Sequence, residues 1–274
     1  MAAALQPYEK KILRELRAWQ AETPGWGARL LAKPAGKAAE IVQALIPVSA
    51  LRAALEGAHR VAQKLSDRRS ILKRARVAEL KDLRAQPLEV CDRLARTVGR
   101  RSMAMAGAGG AAFGFAGAAG LVVDVPALIT LALRAIVRTG LCYGEDALAD
   151  RESRLAIGVF ALASANSEDE KKTAVAALRD YGEGLLDVAW REGVERAAER
   201  ELAKEAAVFS VQNLAKRLGV NIGKRKAAEA LPVFGALVGG SVNAWYLRDV
   251  TRCARYVFQE RWLREKYGSL PNDD

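Results

Sequence analysis

The chain has 274 residues, of which 51% are hydrophobic, and it carries 43 Lys and Arg against 32 Asp and Glu. That apolar content is enough to bury a core, so an intrinsically disordered chain is not the default expectation. The three cysteines, Cys91, Cys142 and Cys253, lie far apart. Their spacing fits neither a disulfide framework nor a zinc site and is typical of a reducing compartment.

The net charge of +11 comes from the first part of the chain. Residues 1–102 contain 21 Lys and Arg against 10 Asp and Glu, whereas residues 103–274 contain 22 of each kind. This asymmetry favours an anionic partner such as a membrane surface, nucleic acid or an acidic protein. Solvated helix faces are the alternative explanation. The N-terminus lacks the apolar stretch of a secretory signal, so we expect a cytoplasmic location.

The predicted elements begin with an amphipathic helix, in which apolar residues recur every three to four positions from Tyr8 to Trp19. A second helical pattern starts at Ile41 and is interrupted at Pro47. Between Arg60 and Arg101 there are thirteen basic residues against five acidic ones. We expect this segment to be helix with a basic exterior. The cations expected to contact an anionic surface are Arg68, Arg69, Lys73, Arg74 and Arg76.

The next region is an apolar block that contains the run GAGGAAFGFAGAAGLVVDVP, Gly107–Pro126. A phosphate-binding loop is disfavoured, because that fingerprint requires a preceding strand and no strand pattern is present. Met103–Val123 is long enough to cross a bilayer core, but its five most apolar residues contribute only about 1.5–3 kcal/mol toward insertion. A weak or conditional insertion is therefore the alternative to a buried position. Tight packing of buried helices fits best, since glycine lets a second backbone approach closely. We expect such packing at Gly110, Gly114, Gly117, Gly235 and Gly239.

Asp124 is predicted to cap the following helix, with Pro126 in its first turn. Gly140 or Gly144 is predicted to end that helix. Polar groups within or beside the apolar segments are expected to form a ligand-binding or structural cluster in the apolar core: Asp124, Arg134, Arg138, Asn243 and Asp249. The two arginines would pair with buried carboxylates or hold an anionic headgroup.

Beyond residue 144, helices are predicted around Asp150–Ala165, Glu168–Tyr181 and Asp187–Phe209. A second apolar segment, 231–247, runs into a helix that ends near Gly268. We interpret the whole chain, 1–274, as one all-α multi-helix domain in which two glycine-rich apolar helical segments pack centrally. Basic amphipathic helices occupy 1–102, a glycine-rich apolar helical hairpin 103–143, and further helices 144–274.

Motifs for catalysis or metal binding are scarce. His59 is the only histidine, and no G-x-S-x-G motif accompanies it, so a Ser-His-Asp site is disfavoured. The sequence contains no H-E-x-x-H motif, no paired cysteines and no acidic metal-binding loop. We therefore expect no catalytic residue, no metal and no cofactor.

Several short segments together resemble the EcsC family. They are Tyr8-Glu9, Trp19, the glycine run into Asp124-Val125-Pro126, Leu133-Arg134, Tyr143-Gly144, 213–216 and 231–243. The likeness covers nearly the whole chain, and the combination is more specific than any single segment. It implies a bacterial protein with a membrane-linked accessory role, because the family's namesake is encoded beside two components of an ABC transporter. It supplies no catalytic residues.

The expected function is that of a non-enzymatic peripheral membrane or lipid-binding accessory protein, linked to a transporter or to secretion. The expected partners are an anionic membrane surface or lipid and a membrane transporter. One alternative is an enzyme acting on lipid or another hydrophobic substrate, with Asp124 and Arg134 lining its pocket. Another is a basic surface that binds nucleic acid or an acidic protein. Nucleic acid is disfavoured, because aromatic residues are not interleaved with the basic run.

Overall fold

The computed structural model describes residues 4–22, 68–113, 118–145, 155–156, 158–160, 162–163, 165, 168–180 and 224–271. Within these ranges the chain is helical and contains no strand, as its alanine- and leucine-rich composition predicts. Its principal helices there are α1 (Pro7–Ala21), α2 (Arg68–Ala75), α3 (Leu80–Arg84), α4 (Leu88–Phe113), α5 (Ala118–Cys142), α6 (Glu168–Asp180) and α7 (Lys224–Tyr267).

Some predicted features lie outside the described residues. They are the pattern from Ile41 with Pro47, His59, Gly114, Gly117 and the helix around Asp187–Phe209. Gly110 lies on α4, and Gly235 and Gly239 lie on α7, but their surroundings are outside the described part of the structure. Close packing at these five glycines therefore stays a prediction.

The core is formed mainly by α4, α5 and α7. Helix α7 packs most extensively against α4, and α5 packs against both. Helix α5 contributes Ile129, Leu133 and Ile136, each at most 1% exposed, and α7 contributes the fully buried Leu247 and Val250. Burial of such side chains provides the main favourable free energy of folding. No helix within the described ranges combines the length and hydropathy needed to span a membrane.

Two described glycines allow close helix contacts that the sequence analysis did not assign to packing. A Cβ atom added to Gly140 of α5 would lie 2.8 Å from Cζ of Phe258 on α7. A Cβ atom added to Gly99 of α4 would lie 3.2 Å from Oγ1 of Thr251 on α7. Both glycines thus allow their helix to pack closely against α7. A larger residue at either position would push the two helices apart.

The prediction that Asp124 begins a helix is wrong. Helix α5 begins at Ala118, so Asp124 and Pro126 lie inside it. The segment before Asp124 contains the helix-favouring Ala118, Ala119 and Leu121, and the helix continues through Pro126 although proline removes one backbone hydrogen bond. The predicted end at Gly144 is confirmed. Gly144 has φ 81° and its N–H binds the carbonyl of Leu141, while the N–H of Glu145 binds that of Gly140, which is a Schellman motif.

The basic segment is divided into α2, α3 and the start of α4, rather than forming one helix. Helix α2 ends where Arg76 adopts φ 58°. The N–H groups of Arg76 and Val77 bind the carbonyls of Lys73 and Leu72. This is again a Schellman motif, but with arginine at the left-handed position that usually carries glycine. The turn separates the exposed cations of α2 from those of α4.

Contacts from α6 and α7 hold α1 in place. Ile12, Leu13 and Leu16 of α1 are fully buried. At the other end of α1, the ammonium group of Lys171 on α6 donates to the carbonyls of Trp19, Gln20 and Glu22 at 2.6, 3.1 and 2.6 Å. A cation at a helix C-terminus satisfies carbonyl groups that have no partner within the helix.

Candidate anion-binding site

Helices α4 and α7 run antiparallel, and their pairing creates a basic surface on the described core. Asp92 near the start of α4 binds Gln259 late in α7, whereas Gly99 lies against the earlier Thr251. Because Gly99 has no side chain, the two helices come close at this level. The hydroxyl of Thr251 bonds back to the carbonyls of Leu247 and Arg248, so it is satisfied within its own helix.

A groove at this level is lined by five arginines, and we call it the arginine groove. Its arginines are Arg96 and Arg100 of α4 and Arg248, Arg252 and Arg255 of α7. The other lining residues are Ala95, Gly99, Met103 and Thr251. The cavity has a volume of about 240 Å³, which corresponds to about eight water molecules at ~30 Å³ each.

Helical spacing explains why the five arginines converge. Arg96 and Arg100 are four residues apart, as are Arg248 and Arg252, and Arg255 follows three residues later. Residues three or four apart share a helix face. Each helix therefore supplies one row of guanidinium groups, and the antiparallel contact at Gly99 brings the two rows together.

Few carboxylates neutralise this groove. Glu22 pairs with Arg252 at 2.7 Å, and Asp249 lies 3.7 Å from Arg248. Arg96 donates to the phenol oxygen of Tyr8 at 3.3 Å, and that acceptor is a neutral group. Within the described ranges, Arg100 has no ion-pair partner. In the described part of the chain, five positive charges thus stand against two directly paired negative ones.

Arg255 differs from the other four because it is partly buried. Its guanidinium carbon lies 5.5 Å from the centre of the Tyr256 ring. Its Nε atom is buried and has no hydrogen-bond acceptor within the described part of the protein. A guanidinium held in such partly dehydrated surroundings interacts more strongly with an anion than one in bulk water does.

A buried carboxylate lies beside the groove. Asp92 is fully buried on α4 and accepts hydrogen bonds from Tyr8 Oη at 2.6 Å, Tyr143 Oη at 2.5 Å and Gln259 Nε2 at 2.8 Å. Burial, followed by the charge and hydrogen bond of Asp92, raises the pKa of both tyrosines well above its ordinary value. Both phenols therefore remain donors, and Asp92 of α4 joins α1, α7 and the turn that follows α5.

Two further buried carboxylates bind the last turns of α7. Glu9 accepts hydrogen bonds from Lys266 at 2.7 Å and Tyr267 at 2.6 Å. Glu145 accepts from Arg261 at 2.9 Å and from Arg84 at 3.4 Å. Donors from the protein itself satisfy Glu9, Asp92 and Glu145, so these groups act as structural junctions.

The predicted polar cluster is only partly described. The guanidinium of Arg134 lies 3.3 Å from the sulfur of Met105, and that of Arg138 lies 3.4 Å from Ser70 Oγ. Asn243 is 3% exposed, and its Oδ1 has no hydrogen-bond partner within the described ranges. Asp249 lies at the edge of the arginine groove, and the surroundings of Asp124 are outside the described part. A joint role for these five residues stays a prediction.

The cations that the sequence predicted to contact an anionic surface lie together on the protein surface. All five are solvent-exposed, on α2 or at the turn that ends it: Arg68, Arg69, Lys73, Arg74 and Arg76. On the opposite face of α2, Ile71 is 2% exposed and packs into the core. We call these five residues the α2 basic face.

The arginines of α7 and the carboxylate of Asp92 were not predicted from the sequence. Residues 103–274 are neutral overall, because acidic residues elsewhere cancel the charge of α7. The available signal was the repeated arginine spacing of four residues in two separate helices. Asp92 carried no such signal, since its partners Tyr8 and Tyr143 are distant in sequence.

The chain is similar to a known protein family and to a bacterial relative. The family model of the EcsC protein family matches residues 10–263. The chain is also similar to "Uncharacterized protein YdbA" of Bacillus subtilis (strain 168), with 24% identity over 187 residues. That match covers 68% of this chain and 63% of the relative, so the chain spans less than two thirds of the relative's length. No solved structure matches the chain significantly.

Proposed function

This chain belongs to the EcsC protein family, and from that premise we propose that it is a non-enzymatic accessory protein that binds anionic membrane surfaces from the cytoplasmic side. The α2 basic face carries this proposal. Five cations project from one short helix and its terminal turn, while the other face of that helix is anchored in the core by Ile71. A basic residue near an anionic membrane contributes about 1 kcal/mol of binding free energy.

The proposed partners are anionic lipids and, as the family resemblance implies, a membrane transporter. The arginine groove adds positive charge from α4 and α7. Such a surface attracts an anionic membrane over a distance of about 8 Å at physiological salt. The binding is therefore expected to weaken as salt rises, unless an apolar segment also enters the membrane.

Vesicle flotation with a charge-reversed variant tests this proposal. We expect the wild-type protein to float with vesicles containing phosphatidylglycerol but not with pure phosphatidylcholine. Changing Arg68, Arg69, Lys73 and Arg74 together to Glu should abolish flotation. Circular dichroism and thermal melting would establish that the variant is folded.

A matched control separates a local surface from total charge. Changing Lys10, Lys11, Arg14 and Lys81 to Glu alters the net charge by the same amount at positions that are also exposed. This control should retain most of its flotation. Equal loss in both variants, or no flotation of the wild type at low salt, would contradict the proposal.

A further inference from the structure

We propose that the arginine groove is a discrete site for one phosphate monoester group. This inference goes beyond attraction of the α2 basic face to a membrane, because it assigns a single ligand with defined stoichiometry. It does not depend on membrane binding. The same phosphate chemistry is offered by the headgroup of phosphatidic acid and by soluble phosphate.

The chemistry of the lining favours phosphate. Guanidinium groups present several N–H donors in a planar fork that matches two oxygens of a phosphate. Arg96 and Arg100 approach from α4, and Arg248 and Arg252 from α7. An anion between the two rows would receive donors from both helices, which a single exposed helix such as α2 cannot provide.

The charge of the groove favours a dianion. Among the residues that the structure describes, only Glu22 and Asp249 pair directly with its five arginines. A phosphate monoester carries about −1.5 to −2 charges at pH 7, whereas the diester of phosphatidylglycerol carries only one. The monoester therefore compensates more of the excess positive charge and exposes an additional oxygen to the donors.

The size of the groove favours a small group. A volume of about 240 Å³ is below the roughly 300–1,000 Å³ of pockets that enclose drug-sized ligands. Gly99 leaves space between the rows, and Ala95 adds only a methyl group. A phosphate with a short attached group fits this space, and the remainder of a lipid would lie outside it.

Two binding measurements on the full chain test the site. Calorimetry with inorganic phosphate at constant ionic strength, set with chloride, measures affinity and stoichiometry. Flotation compares phosphatidylcholine vesicles containing phosphatidic acid with vesicles containing phosphatidylglycerol at matched surface charge. We expect one phosphate per chain, or preferential flotation with phosphatidic acid. The first result identifies soluble phosphate as the source, and the second identifies a lipid headgroup.

Two variants on α4 change neighbouring arginines, one inside the groove and one outside it. Changing Arg100 to Gln removes a groove arginine, and we expect phosphate or phosphatidic acid affinity to fall at least about tenfold through loss of a charge-assisted hydrogen bond. Changing Arg101 to Gln removes the same charge from the neighbouring exposed position, which does not line the groove, and should alter affinity less than about twofold. Arg248→Gln provides a second groove variant on α7. Melting curves would confirm that all three fold.

The outcomes also separate this inference from the proposed function. If the α2 reversal abolishes flotation but preserves phosphate binding, the groove is supported and acts independently. Equal losses in Arg100→Gln and Arg101→Gln would overturn the groove, as would equal affinity for the two lipids together with no calorimetric binding of phosphate. In that case, flotation that depends on the α2 basic face would still support membrane binding, but not a phosphate site in the groove. Tighter binding of a nucleic acid than of either phosphate probe would also overturn the assignment.

Discussion

Two consecutive stretches of α7 use their charged side chains in opposite ways. Over residues 259–267, Gln259, Arg261 and Lys266 donate to the buried carboxylates of Asp92, Glu145 and Glu9. Over residues 248–255, three arginines line a groove in which just two carboxylates of the described ranges pair directly with an arginine. The helix is continuous through both stretches, so the difference comes from what packs against each.

A structural charge and a binding charge differ in whether the protein itself supplies their partners. A buried ion that keeps all its partners stabilises one arrangement of the helices, and removal of one partner leaves the other uncompensated. An exposed guanidinium without a carboxylate contributes little to stability and is available to a ligand. Mutations in the two stretches should therefore affect different properties, and the following predictions are ordered by the size of the expected effect.

The largest effect is expected from Asp92→Ala. This change leaves Tyr8, Tyr143 and Gln259 without their shared acceptor, and we expect a loss of about 3–5 kcal/mol in the free energy of unfolding. Urea unfolding followed by circular dichroism measures it. Glu15→Gln on the surface of α1 is the control and should change stability by less than about 0.5 kcal/mol. A typical neutral hydrogen bond contributes about 1 kcal/mol. If Asp92→Ala lost less than about this amount, the role of Asp92 as a junction would be contradicted.

A smaller, pH-dependent effect is expected at Glu9. Burial alone would raise the pKa of its carboxyl group, but hydrogen bonds from Lys266, Tyr267 and the Gln6 backbone lower it below its ordinary value. The stabilisation is thus complete above the unfolded pKa of about 4.3 and is lost as pH falls through the lowered folded pKa.

We would measure the difference in unfolding free energy between the wild type and Glu9→Gln from about pH 7 to about pH 3. This range includes the pKa of an unfolded glutamate. We expect the variant to be less stable by about 1–3 kcal/mol at neutral pH, with the difference shrinking in the acidic part of the range. A difference that stays constant with pH would show that the charge of Glu9 does not contribute.

The smallest effect is expected from Arg100→Gln in the arginine groove. Its removal should change the free energy of unfolding by no more than about 0.5 kcal/mol, and relief of repulsion among the arginines favours a slight gain. Arg261→Gln is the matched change in the paired stretch and should cost about 1–3 kcal/mol, because Glu145 is buried. Equal costs in thermal or urea unfolding would remove the distinction between the two stretches.

Local patterns were sufficient for several elements of the fold. The apolar spacing from Tyr8 to Trp19 predicted α1, and α6 and the end of α7 near Gly268 also match the structure. The start of α5 could not be inferred in this way, because a good cap residue at Asp124 does not prevent the apolar segment before it from being helical. The turn at Arg76 was missed for a related reason, since arginine rarely takes the left-handed conformation.

By itself, the sequence determined the helical class, the family resemblance and the excess of basic residues before residue 103, because composition and local spacing carry this information. The tertiary structure decided which charges are neutralised. Arg261 meets Glu145 from a segment more than a hundred residues earlier, whereas Arg100 meets a row of arginines from α7. Charge compensation depends on distances of a few ångströms between side chains, and only the packing of α4 against α7 brings those side chains together.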